Sequence, residues 1–231
     1  MKIGLLIIAT NKYIQFIKPL IKSTDQFFFT KEQDDIVEYF IFTDQKNLIL
    51  DTKRKYHIIN IEHQPWPYTT LYRYKYFIEN SNYFSNIDYL YYCDADMLFV
   101  DNVDREILGN IVGTIHPGFM GGRGTPETNP FSLACIPNER HIVYCAGGFN
   151  GGHRNNFLEM ARVISNNINI DLANNIIAIW HDESHMNKYY LSYTPDKLLS
   201  PSYCYPESWD IPIPKKILAL DKNHAIMREI L

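Results

Sequence analysis

Two carboxylates, Asp94 and Asp96, stand at spacing i, i+2 directly after the apolar and aromatic run Tyr89-Leu90-Tyr91-Tyr92-Cys93. A run of that kind reads as a buried strand. Its interior cannot hold two charges, so both Asp side chains belong at or beyond its C-terminal end, where open α/β sheets bind ligands. Two acidic groups there need a compensating cation, and a divalent metal carrying a phosphorylated ligand is the natural one. The plain alternative is that both are turn formers. A calcium-binding helix-loop-helix site would need more acidic ligands and a glycine in its loop; Met97-Leu98-Phe99-Val100 excludes it. A phosphatase with an aspartyl nucleophile would carry its Asp-x-Asp after the first strand, with Thr or Val where Leu98 stands.

His181-Asp182-Glu183-Ser184-His185 is the second constellation. Two His at i, i+4 on a helix resemble half of a zinc site, but zinc proteases place Glu directly after the first His. Asp182 holds that place here. The segment reads either as a helix start with two hydrogen-bonded histidines or as the carrier of a catalytic carboxylate, Glu183, beside a sugar. Ala146-Gly147-Gly148-Phe149-Asn150-Gly151-Gly152 reads as turns, or as backbone that a bulky ligand can approach closely. Residues 222–228 read as a solvated basic tail, or as one that folds over a diphosphate through charge-assisted bonds.

The elements that must position these residues are legible in outline. Residues 2–9 form a strand that ends in the turn or cap Thr10-Asn11, followed by a helix over 13–23. Strands follow at 36–42 and 57–61, and Thr69 or Thr70 can cap a helix through Arg73, Phe77 and Ile78. The strand ending at Asp94 comes next, then one at 111–115. Strands alternating with helices argue for a largely parallel sheet of nucleotide-binding type. Residues 118–130, rich in Gly, Thr and Pro, read as a long mobile loop. Helical spacing marks 157–164, and a helix over 182–191 opens on acidic residues that suit its positive end.

Composition narrows the class. With 231 residues and 46% hydrophobic content, the chain can bury a full core as one large domain or two small lobes. A net charge of −4 without a basic block argues against nucleic-acid binding. Cys93, Cys135, Cys145 and Cys204 are scattered with no secretory signal ahead of them, so reduced thiols in a cytoplasmic protein are expected. No apolar segment approaches the roughly 20 residues of a membrane span.

Several strings together resemble glycosyltransferase family 6, which holds the histo-blood-group A and B transferases, the α1,3-galactosyltransferases and shorter bacterial relatives. They are Trp66-Pro67, Asp88-Tyr89-Leu90, Asp94-Ala95-Asp96, Gly113-Thr114-Ile115-His116-Pro117-Gly118-Phe119, residues 144–152 and Trp180-His181-Asp182-Glu183-Ser184-His185-Met186-Asn187-Lys188-Tyr189, with Leu199-Ser200-Pro201 and Asp221-Lys222-Asn223-His224 completing the set in family order. The resemblance spans nearly the whole chain.

It implies a GT-A fold, a Rossmann-like mixed sheet flanked by helices, as a single domain over 1–231. About 1–100 would bind UDP and about 101–231 the acceptor. It implies transfer of GalNAc or Gal from a UDP-sugar to the 3-hydroxyl of a galactoside, possibly fucosylated, with retention. A metal-dependent hydrolase and a non-catalytic carbohydrate-binding protein are the rival readings. On the resemblance, Asp94 and Asp96 hold Mn²⁺, or Mg²⁺, against the diphosphate, and hard oxygen ligands suit either ion. Many bacterial relatives carry Asn-x-Asn and work without metal; this chain keeps both Asp, so metal dependence is expected.

Position by position, Ile8, Ala9, Thr10 and Tyr13 match the uridine pocket. Arg73 and Ala95 match donor contacts, and Lys222 and Arg228 match the tail that closes over the diphosphate. Glu183 matches the proposed catalytic carboxylate, which can stabilise an oxocarbenium-like state or attack it. Asp182 matches a residue that holds donor-sugar hydroxyls. His116, Trp180, Glu183 and Glu207 match acceptor contacts. Ala146-Gly147-Gly148 matches the segment that governs donor choice, and its small residues point to UDP-GalNAc. Residues 121–125 and 205–209 depart from the animal enzymes, which also carry an N-terminal membrane anchor. This chain starts at the catalytic strand, so a soluble protein is expected.

Overall fold

A computed structural model of the protein describes residues 1–229, the Arg228 side chain excepted. Four strands run parallel at one end of the main sheet: β1 (Lys2–Ile8), β2 (Ile36–Thr43), β3 (Lys55–Asn60) and β4 (Tyr89–Cys93). Runs such as Leu5-Leu6-Ile7-Ile8 form a strand buried on both faces, as parallel strands with helices on either side must be. Alternation then divides them. Leu5 and Ile7 enter one apolar core with Tyr39 and Ile41, while Leu6 and Ile8 enter the other with Phe40 and Phe42.

The first core is closed by α1 (Ile17–Phe27). The second is closed by α3 (Arg73–Glu79), which follows the single turn α2 (Tyr68–Leu71), and by α4 (Arg154–Ala173) and α5 (His181–Ser192). The helix expected over 13–23 begins as a 3-10 turn, Asn11–Phe16, and becomes α-helical only at Ile17. Neither Thr69 nor Thr70 caps a helix. The cap position falls at Pro67, and the two hydroxyls donate backwards to Gln64 O and Pro67 O.

The sheet is largely parallel, as expected, with one of its seven strands running against the rest. Beyond β5 (Met97–Phe99) lie β6 (Val112–Ile115) and β7 (Cys145–His153), and β7 inserts between β4 and β6, antiparallel to both. With β8 (Lys197–Leu199) the order is β3-β2-β1-β4-β7-β6-β8. The glycine-rich segment read as turns is therefore a buried central strand. Close approach explains its glycines: a Cβ on Gly151 would stand 2.4 Å from Tyr91 Cδ1 and 2.5 Å from Leu90 O.

A small second sheet joins β5 to β10 (Ile217–Ala219) and β9 (Tyr205–Pro206). It brings the C-terminal segment beside the Asp-x-Asp turn, where Leu220 N–H donates to Asp96 O at 2.9 Å. The last helix, α6 (His224–Arg228), is capped by Asn223, whose side chain accepts from Ala225 N and Ile226 N. The loop expected to be mobile is stitched by its own backbone, as in Ile136 N–H to Glu127 O at 2.8 Å. No described helix is long and apolar enough to cross a membrane. All four cysteines are free thiols.

Candidate active site

Asp94 and Asp96 lie in the turn between β4 and β5, at the C-terminal ends of β1 and β4. They border a cleft of about 220 Å³ that is also lined by Ile8, Thr10, Tyr13, Arg73, Ala95 and Lys222. Eight of the residues singled out in the sequence thus share one cavity. Ala9 is buried behind it, its N–H donating to Phe42 O. The same cleft holds His63, Gln64, Trp66, Thr69, Thr70, Tyr92 and His224, to which sequence reasoning gave no role. Thr10 Oγ1 and His63 Nδ1 are hydrogen-bonded at 2.8 Å, linking the end of β1 to the segment after β3. Trp66-Pro67, joined by a cis peptide bond, and His224 fall in strings that the sequence made visible.

Arg73 ties the carboxylates together. From the start of α3, Nη2 donates to Asp94 Oδ1 at 3.2 Å, while Nη1 donates to Gly147 O at 3.0 Å and lies 3.1 Å from Asp182 Oδ2. The guanidinium sits 4.0 Å above the Tyr92 ring, and the Tyr92 hydroxyl donates to Asp94 Oδ1. Burial works against the charge on Arg73, but Asp182, Tyr92 and Asp94 more than offset it and raise its pKa. It stays a cation.

Asp182 and Glu183 open α5. The helix is stapled to β7 by Asn187, whose side chain accepts from Cys145 N–H at 2.8 Å and donates to Cys145 O at 2.9 Å. That places Glu183 Oε2 to accept from Gly147 N–H at 2.8 Å. Burial pushes Glu183 up to about 7, the Gly147 N–H acting against it. Burial likewise pushes Asp182 up to about 6, opposed by Arg73. Arg73 Nε, Tyr74 Oη, Tyr144 Oη and Asp182 Oδ2 are buried without a well-formed hydrogen bond among the described residues. Of these, Asp182 Oδ2 keeps its ion pair to Arg73 and the Tyr144 hydroxyl its place beside Glu183, and buried polar atoms short of partners are points where a ligand group can bind. Tyr144, whose hydroxyl stands beside Glu183, opened a string that matched the family but was given no role of its own.

The glycines of β7 keep its backbone close to these groups, tightly at Gly148 and at ordinary contact at Gly147. A Cβ on Gly148 would stand 3.1 Å from Asp94 Oδ2, and one on Gly147 3.4 Å from Glu183 Oε2 and 3.5 Å from Arg73 Nη1. His116 directly follows β6, packs against Phe119 with the rings tilted, and accepts from Gly118 N–H through Nδ1; burial lowers its pKa. Trp180 is half exposed just ahead of α5. Glu207 is exposed and accepts from Asp221 N–H at 2.9 Å, so it braces the final segment. The Arg228 side chain lies outside the described residues.

The donor set suits a divalent cation completed by its ligand. Two hard carboxylates face the cleft, and no group of three or more His, Cys, Asp or Glu forms among the described residues. A small hard ion held by one or two carboxylates together with substrate phosphates has that signature. The ammonium of Lys222 pairs with Asp96 Oδ2, so this point of the cleft already accepts a cation. His181 and His185 are not a zinc pair: His185 is buried 3.5 Å from Asp171, whereas His181 packs against Trp66.

The profile of Glycosyltransferase family 6 matches residues 1–229. Histo-blood group ABO system transferase 1 of Rattus norvegicus is 34% identical over 98% of this chain and 68% of its own length. Globoside alpha-1,3-N-acetylgalactosaminyltransferase 1 of Gallus gallus is 31% identical over 98% and 69%. O-antigen biosynthesis glycosyltransferase WbnI of Escherichia coli is 28% identical over 96% of each chain. The mixed α/β sheet is GT-A-like, the cleft lies at its strand ends, and the chain belongs to glycosyltransferase family 6, enzymes that move a sugar from a nucleotide-sugar donor to a glycan acceptor.

Proposed function

We propose that this protein is a metal-dependent, retaining α1,3-glycosyltransferase that moves GalNAc, in preference to Gal, from UDP to the 3-hydroxyl of a galactoside. One observation carries the reading. Arg73 links the Asp94 carboxylate, the Asp182 carboxylate and the Gly147 carbonyl, and the N–H of the same Gly147 holds Glu183. A cation site and a buried carboxylate are thereby fixed at the two ends of one rigid unit. A donor lying along it has its diphosphate at Asp94 and Asp96 and its anomeric carbon toward Glu183. Ile8, Thr10 and Tyr13 supply the cleft wall for the uridine.

Asp94 and Asp96 would hold Mn²⁺ or Mg²⁺, which supplies charge to offset that building on the departing UDP. The chain's own groups do the rest. Lys222, delivered by the C-terminal segment, adds a cation at the same edge. Gly147 N–H fixes one oxygen of Glu183 so that the carboxylate cannot swing away as positive charge grows at the sugar. Asp182, held by Arg73, is placed to take sugar hydroxyls. The segment Ala146-Gly147-Gly148 sets no side chain larger than a methyl group beside Glu183, which supports an N-acetyl group on the donor. The likeness to a globoside alpha-1,3-N-acetylgalactosaminyltransferase supports the α1,3 linkage and the choice of GalNAc.

Isothermal titration of UDP with and without Mn²⁺ tests it. The expected result is affinity increased at least about tenfold by the ion in the wild type and no such increase in Asp94→Asn. Equal UDP affinity in Mn²⁺ and in excess EDTA would refute the metal role.

A further inference from the structure

Away from the reacting groups, two buried carboxylates face backbone rather than solvent. Glu127 stands in the loop over 118–144 and Asp171 near the end of α4, 8% and 2% exposed. Glu127 Oε1 accepts from Asn129 N–H at 2.7 Å within the loop, and Oε2 accepts from Ile179 N–H at 2.8 Å on the segment leading to α5. Asp171 accepts from Ser132 Oγ at 2.6 Å and from Leu133 N–H at 2.9 Å, with buried His185 of α5 at 3.5 Å. At the outer end, Trp180 Nε1 donates to Thr125 Oγ1 at 2.8 Å. One continuous clamp therefore joins the loop to the end of α4 and the start of α5. His116 stands just before this loop and Trp180 lies against it, so the clamp borders residues matched to the acceptor side.

Resting on the transferase reading above, we infer that Glu127 and Thr125 are positioning residues of the acceptor site, holding the loop against the segment before α5 so that Trp180 presents a fixed face to the acceptor sugar. Burying a carboxylate is costly unless it is fully hydrogen-bonded. Glu127 meets that condition with backbone N–H groups from two different segments, a use that core packing alone does not require. An indole pinned at its N–H keeps one orientation, and a sugar ring stacked on it loses less freedom on binding. Neither residue reaches the Asp94–Arg73–Glu183 unit, so the donor half is untouched by this clamp.

The test compares acceptor KM, donor KM and hydrolysis of UDP-GalNAc without acceptor in the wild type, Thr125→Val, Thr125→Ser and Glu127→Gln. Thr125→Val should raise acceptor KM about three- to tenfold with donor KM and hydrolysis unchanged, and Thr125→Ser should restore it. Glu127→Gln should do the same or more, since Gln cannot accept two N–H groups through its amide nitrogen. If Glu127→Gln does not fold, the exposed Thr125 pair decides. Unchanged acceptor KM in Thr125→Val, or equal movement of donor and acceptor KM, would overturn the inference while leaving the transferase reading intact. A wild type that hydrolyses UDP-GalNAc but glycosylates no galactoside would overturn both.

Discussion

At the scale of single residues, Glu183 bears the greatest burden. Its environment holds the carboxyl near pH 7 chiefly by burial, while the chemistry asks for the carboxylate. Free-enzyme kcat/KM should therefore rise with pH toward a plateau above about 7, and a profile flat from pH 5 to 8 would count against the assignment. Glu183→Gln should cut turnover about 100- to 1,000-fold and leave UDP affinity within a few-fold, because the lost interaction belongs to the transition state. Stability gives a second readout. A carboxyl whose pKa is raised from 4.5 to about 7 on folding contributes stability that is complete below its unfolded value and lost as pH rises through 7. The Gln variant should thus gain on the wild type by roughly 3 kcal/mol between those limits, measured as paired urea midpoints. The carboxylates were visible in the sequence because charge after an apolar run, or at a helix start, breaks a pattern. His63 was not, since a loop histidine breaks none, and Tyr144 and Asn187 stood inside family strings without a role of their own.

At the scale of elements, β7 decides the site. It supplies Gly147 and Gly148 to the donor region and separates the parallel half of the sheet from β6. Its composition concealed it: glycine-rich segments usually turn, and only the neighbouring tyrosines of β4 explain why this one runs straight. Gly151→Ala should cost about 1–3 kcal/mol, read as a lower urea midpoint at constant m value. An unchanged midpoint would mean that the tight approach to Tyr91 and Leu90 is easily relieved. Gly147→Ala is a gentler probe, since its Cβ would meet Glu183 and Arg73 at ordinary contact distance. It should lower the UDP-GalNAc to UDP-Gal preference about tenfold, and an unchanged ratio would remove this segment from donor choice. The parallel strands β1, β2 and β4 were readable as apolar runs. The direction of β7 was not, because nothing in period or composition distinguishes an antiparallel insertion.

For the whole molecule, topology explains why residues 90 positions apart act together. β4 ends at Cys93, just before Asp94, β7 returns antiparallel beside it, and α5 is stapled to β7, so Asp94 and Glu183 come to the same stretch of β7. The small sheet of β5, β9 and β10 brings Lys222 to the same edge. Order along the chain revealed the family, but only the fold reveals that Arg73 is the buried link between the halves. The most direct measurement is proton NMR of the product formed from UDP-GalNAc and a galactoside in Mn²⁺. An α-anomeric signal with substitution at O3 is expected, absent in EDTA. A β-linked product, or free GalNAc with the galactoside unchanged, would contradict it.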